Sequence, residues 1–104
     1  MSILGVRLDE PGRSVLLTGN EAVARGALEA GIGYASSYPG SPSAEVLGVL
    51  AELAGERGFY AEWSVNEKVA LEGAAAASFA GLRAICVMKA DGLNVALDTL
   101  TALS

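Results

Sequence analysis

Short apolar runs alternate with helix-length segments from residue 14 to the end of this 104-residue chain, and that alternation leaves few folds open. Residues 14–18 (SVLLT), 34–38 (YASSY), 59–63 (FYAEW) and 83–88 (RAICVM) are brief and rich in apolar or aromatic side chains, as strands are. Residues 21–30, a segment opened by Ser41-Pro42 and closed by Arg57-Gly58, residues 66–80 and residues 93–103 carry helical spacing. Strands joined by helix-sized connections pair in parallel, because a parallel crossover needs about a dozen residues or more. The expected architecture is therefore α/β, a mostly parallel sheet flanked by helices.

The segment ends are marked by local chemistry. Asn20 is a plausible N-cap for the first helix, Val23, Ala27, Leu28 and Ala30 share its apolar side, and Glu21 and Arg25 are spaced as a surface pair. Gly31 suits the positive φ of a helix terminus. Pro42 fits the first position of the next helix, with Val46, Leu47, Leu50, Leu53 and Ala54 as its apolar stripe. Residues 1–13 lack a period and contain the break Glu10-Pro11-Gly12, so they read as an irregular lead-in, with 14–104 as the domain.

Composition removes several function classes. A formal charge of −5, with seven basic residues and no basic cluster, argues against nucleic acid as a partner. No apolar run approaches the roughly 20 residues that cross a bilayer, and MSILGVRLDEPGRS lacks a signal-peptide pattern, so neither a membrane nor secretion is expected and a reducing cytoplasm fits. Without histidine, no serine or cysteine nucleophile can work with a histidine base. Cys86 is the single cysteine, too few for a disulfide, a zinc site or a cysteine-ligated cluster, and no metal site is expected within the chain. There is no phosphate loop, and Gly31-Ile32-Gly33 precedes a strand where a dinucleotide fingerprint would follow one. Redox chemistry, if present, has to come from a cofactor.

Sites in parallel sheets gather beyond the carboxyl ends of strands, which singles out residues 38–42, 63–67 and 88–94. At the first junction Tyr38, Pro39, Gly40 and Ser41 place backbone donors and a hydroxyl before a helix, where an anion is favoured; turn chemistry alone explains the same residues. At the second, Glu67 is an acid opening a nearly apolar helix, but Ser64 and Glu67 also spell a capping box, which accounts for the carboxylate by itself and which pattern alone favours. Gly73, Ala74, Ala75, Ala76, Ala77 and Ala80 strip that helix of bulk, for packing on its own sheet or on another subunit. At the third, Lys89, Asp91 and Asn94 are either ligand contacts or a polar loop with a helix cap.

Taken in order, LLTGNEAVARGALEAG, YPGSPSAE, YAEWSVNEKVALEGAAAASFAG and VMKADGLNVALD resemble the N-terminal region of the α subunit of indolepyruvate:ferredoxin oxidoreductases. The resemblance runs from Leu16 to about Thr99, and the EW-S-x-NEKVALE and MKxxGLNVA strings separate that family from its pyruvate and 2-oxoglutarate relatives. It implies an incomplete, truncated thiamine diphosphate pyrimidine domain. In it Glu67 would bind N1′ of the aminopyrimidine and start the chemistry, and Tyr38, Pro39, Gly40, Ser41, Lys89 and Asn94 would line the cofactor or substrate side. Where the family reads MKHVGLN, this chain reads Met88-Lys89-Ala90-Asp91-Gly92-Leu93-Asn94, so a ring is lost and an acid gained.

The implied reaction is oxidative decarboxylation of indolepyruvate or another aryl pyruvate to the acyl-CoA. Coenzyme A, ferredoxin, a β subunit and a second α subunit would be partners, and Mg2+ and 4Fe-4S clusters would sit in parts of the enzyme beyond this chain. The isolated chain would then be inactive. Pyruvate or 2-oxoglutarate chemistry, and a non-catalytic subunit-docking module, are the alternatives.

Overall fold

In the computed structural model, which describes residues 4–104, three four-residue strands form one sheet in the order β2-β1-β3: β1 (Tyr34–Ser37), β2 (Tyr60–Trp63) and β3 (Ala84–Val87). All pairing is parallel, with Tyr34 opposite both Tyr60 and Ala84, and Ser36 opposite both Glu62 and Cys86. The helices are α1 (Leu4–Arg7), α2 (Gly19–Glu29), α3 (Ala44–Arg57), α4 (Glu67–Phe79) and α5 (Gly92–Ala102). The expected parallel α/β layering is therefore present, with three strands instead of four. None of the helices among the described residues is long and apolar enough to cross a membrane.

The missing strand is the run 14–18. Its Leu16 is 99% exposed and the segment joins no ladder, while Leu17 packs on the core and, with Val15, lies beside Gly5 of α1. A short apolar run is ambiguous by periodicity alone, and here its apolar side chains found a helix to cover instead of a sheet edge. The following cap also moves. Thr18, not Asn20, caps α2: the Glu21 amide donates to Thr18 Oγ1 at 3.2 Å, and the Thr18 amide donates to Glu21 Oε1 at 2.8 Å. Glu21 is thereby buried, so it is not the surface partner of Arg25, which pairs with Glu29 at 2.7 Å. The inward face of α2 is Ala24 and Ala27, while Val23 points out.

Within the expected lead-in, Val6 of α1 is fully buried and belongs to the core. Two arginines dock this turn through its carbonyls: Arg25 donates to Val6 O at 2.8 Å and also to Leu8 O, and Arg57 donates to Arg7 O at 2.6 Å. Cations at a helix carboxyl end satisfy carbonyls that have no helical partner.

The two sheet faces differ in kind. On one, Ala35, Ala61, Ile85 and Val87 meet α3, whose Val46, Leu47, Val49, Leu50 and Leu53 are buried, the expected stripe with Val49 added and Ala54 only partly buried. Gly58, at φ 74°, ends α3 as anticipated. On the other face α4 lies against Tyr34 and Ser36: the Ser36 hydroxyl donates to Ala70 O at 2.7 Å, and Ala70 and Ala74 are buried. Own-sheet packing thus accounts for the small residues at 70, 73 and 74, whereas Ala76 and Ala80 face outward.

Gly73 is tight enough to test. A Cβ there would stand 2.2 Å from Tyr34 Oη and 3.1 Å from Cζ. Gly73→Ala should gain about 1 kcal/mol in helix propensity yet lose about 1–3 kcal/mol to overpacking, a net loss in urea unfolding that Tyr34→Phe partly restores. A Gly73→Ala chain more stable than the parent would show that Tyr34 gives way freely.

Candidate functional site

β1 feeds α3 on one face of the sheet, whereas β3 feeds α5, which packs beside α4 on the other. The chain order reverses between these two strands, so their carboxyl ends flank a switch point, where the outgoing loops part and leave room for a ligand. All three expected junctions lie at this end of the sheet.

The first junction is braced from within. Ser37 is buried and its hydroxyl donates to Tyr38 O at 3.2 Å; Asn20 Nδ2 of α2 donates to Pro42 O at 2.9 Å. The Gly40 carbonyl accepts from the Ala44 amide at 2.9 Å and from the Ser43 hydroxyl at 3.2 Å. Residues 41–43 form a turn and α3 starts only at Ala44, so Ser41 is not the cap of that helix and Pro42 is not its first residue. At the start of α3 the amides of Ala44 and Val46 are spent on Gly40 O and Ser43 O. Tyr38, Pro39 and Ser41 remain exposed.

Gly40 meets the third junction directly, since a Cβ there would lie 3.0 Å from Lys89 Cβ. The structure thus brings the loops after β1 and β3 into contact, with Lys89 exposed between them. Asp91 occupies the N-cap position of α5 but its side chain makes no cap bond, and Ala90, Asp91 and Asn94 are all exposed. The replaced His-Val pair of the related motif thus falls on loop surface.

At the second junction the expected capping box is not formed. The cap is Asn66, extended at φ −165° and ψ 174°, whose Oδ1 accepts from the Val69 amide at 2.9 Å. Two cap-type residues two positions apart competed, and the one nearer the helix won because its backbone already points the side chain at the free amides. Ser64 is left 7% exposed with a buried hydroxyl that has no hydrogen-bond partner, while its amide extends the ladder to Ser37 O at 2.8 Å. Glu67 is left half-buried with its carboxylate free of the cap, lying against Gly92 at the start of α5. Lys68 and Asp98, 3.0 Å apart, hold α4 and α5 side by side just behind it.

The field of Glu67 reaches the sheet. Burial pushes the Cys86 thiol up from its ordinary value, a hydrogen bond with Ser36 pulls it back, and the Glu67 charge raises it further. Two concavities of the chain lie elsewhere: one at the opposite sheet end, lined by Gly31, Ser78, Leu82 and Arg83, the other around Asp9, Arg13 and Glu29. Sequence reasoning missed Ser64 as a buried orphan and Gly92 as the neighbour of Glu67; the latter was visible only as a glycine beside a candidate asparagine.

No family model matches the chain, and no solved structure does. Curated proteins do. Over 96 residues, 92% of the chain, it is 53% identical to the indolepyruvate oxidoreductase subunit IorA of Pyrococcus abyssi. It is 55% identical over 91 residues, 88% of the chain, to that of Thermococcus kodakarensis. The chain is homologous to a short part of IorA. It spans about 15% of the length of the P. abyssi subunit and 14% of the T. kodakarensis one. The 2-oxoglutarate synthase subunit KorA of Archaeoglobus fulgidus is more distant, 32% identical over 80 residues, which are 77% of the chain and 23% of KorA. Since the match to IorA subunits spans nearly the whole chain, it includes all three strand-end junctions, and the name of each relative places it within a multisubunit enzyme.

Proposed function

We propose that this chain supplies the aminopyrimidine side of a thiamine diphosphate site in a 2-oxo acid:ferredoxin oxidoreductase, and that its sheet and helices are a pyrimidine-binding domain. The reaction would be oxidative decarboxylation of indolepyruvate or another aryl pyruvate to the acyl-CoA. The observation that carries this reading is the Glu67 carboxylate, which stands at the switch-point end of the sheet and is not consumed by the cap of its own helix.

The residues present suit the cofactor's ring. A half-buried carboxylate can hold or share a proton at the ring nitrogen N1′, and that is the role given to Glu67. Tyr38, Pro39, Gly40 and Ser41 would wall the site from the β1 side, and Lys89 and Asn94 would offer a cation and an amide from the β3 side. Bound thiamine diphosphate supplies a nucleophilic carbon able to attack the keto group of a 2-oxo acid. Glu67 contributes charge and a proton position, the loop at residues 38–41 excludes water, and Lys89 attracts the substrate carboxylate. Diphosphate, Mg2+, the 4Fe-4S clusters, coenzyme A and ferredoxin fall to other parts and subunits of the enzyme.

The stronger identity to IorA than to KorA favours an aryl pyruvate over 2-oxoglutarate. Placing the 96 matched residues into P. abyssi IorA, and assembling that subunit with its partners, tests the reading. Dye reduction in the presence of coenzyme A should proceed with indolepyruvate faster than with 2-oxoglutarate or pyruvate. Faster turnover of 2-oxoglutarate would overturn the substrate, and an assembled graft inert to all three would overturn the whole assignment.

A further inference from the structure

Gly92 does not have a glycine's backbone. Its φ is not among the positive values of this chain, which belong to Gly12, Gly31, Gly58 and Gly81, so a left-handed conformation does not explain why the residue lacks a side chain. Space does. Gly92 is buried, and a Cβ built on it would stand 2.7 Å from Glu67 Cγ, 3.0 Å from Oε2 and 3.2 Å from Cδ. All three nearest atoms belong to one side chain, and 2.7 Å is far inside the contact distance of roughly 3.5–4.0 Å between carbons.

We propose that Gly92 is a positioning residue for Glu67: the absence of a side chain at the start of α5 creates the notch in which the Glu67 side chain lies. The proposal rests on the thiamine reading for its functional meaning, though not for its geometry. α4 and α5 pack against each other, Ala96 of α5 is fully buried, and Lys68 bridges to Asp98 at 3.0 Å. What can move is the glutamate. Its outer atoms are the flexible end of the side chain, and a methyl group at position 92 would swing the carboxylate out of its present place while the backbone stays.

The test uses the whole 104-residue chain without cofactor. Gly92→Ala should shift the Glu67 γ-methylene and carboxyl carbon resonances and abolish the nuclear Overhauser contact between Glu67 Hγ and residue 92, with the remaining backbone spectrum kept. Unmoved Glu67 resonances in a folded Gly92→Ala chain would overturn the proposal. Should Gly92→Ala fail to fold, Glu67→Ala/Gly92→Ala must restore the fold, because the obstructing atoms are gone; a double variant that is still unfolded would overturn it equally. In the assembled graft, Gly92→Ala should lower kcat at least tenfold with little change in KM for the 2-oxo acid. Full turnover of Gly92→Ala beside an inactive Glu67→Gln overturns the positioning role alone, whereas full turnover of both overturns the thiamine reading and leaves the spectroscopic result standing.

Discussion

Glu67→Gln in the assembled graft is expected to lower kcat by about 100-fold to 10,000-fold, the range that a positioned acid or base contributes. Glutamine has the shape and hydrogen-bonding reach of glutamate but neither its charge nor an exchangeable acid proton, so only a role that needs the carboxyl group is lost. The substitution is clean because the helix cap is Asn66, whose Oδ1 holds the Val69 amide. Removing the negative charge from the first residue of α4 costs about 0.3–1 kcal/mol through the helix dipole, which urea unfolding of the variant would read. Asn66→Ala is the matching control: it should cost about 1 kcal/mol of stability as a lost cap, with turnover far less affected. If Glu67→Gln turned over at the parental rate, the carboxylate would have no part in the chemistry.

The features legible in the sequence were those set by one strong local cause. α3 could be bounded at its carboxyl end because Gly58 adopts the positive φ that glycine permits, and its buried face because Leu47, Leu50 and Leu53 repeat at helical spacing. The parallel sheet followed from connection length. What failed were decisions between two adequate local solutions. Thr18 and Asn20 could both cap α2, and Ser64 and Asn66 could both cap α4; backbone direction chose between them, and that depends on where the preceding segment is anchored. The run 14–18 was apolar enough for a strand, but α1 offered it a surface, and nothing in residues 1–13 announced that Val6 would be interior.

The site was legible only in outline. That residues 38–42, 63–67 and 88–94 would share one end of the sheet follows from topology, and so the contact between Gly40 and Lys89 is an expected kind of neighbourhood. The placement of Gly92 beneath Glu67 is not, because it depends on how closely α4 and α5 approach, a property of residues far apart in the chain. Residue pattern reports which side of a helix is apolar; it does not report how closely two helices approach.

Leu50→Ala should destabilise the chain by about 2–5 kcal/mol, which is a large part of the roughly 5–15 kcal/mol that holds a domain folded. The size follows from what else fills the core. Among the described residues, Ala24, Ala27, Ala35, Ala70, Ala74 and Ala96 make up half of the buried apolar positions, and each fills little volume, so the bulk comes from Leu47, Leu50 and Leu53 of α3 with Val6, Val46 and Val49. Leu50 is fully buried in the cluster that holds Val6, Val46, Leu47, Val49 and Leu53, so its truncation opens a cavity in the part of the core that supplies the bulk. Leu97→Ala on α5, where the side chain is 52% exposed, should change stability by about 0.5 kcal/mol or less. Equal urea midpoints for the two variants would mean that the core is not where the burial places it. The contrast also separates the core from the proposed site in space: Leu50 works on the α3 face of the sheet, while Glu67 and Gly92 sit on the α4–α5 face, so Leu50→Ala should weaken the fold while leaving the Glu67 resonances of the folded fraction where they are.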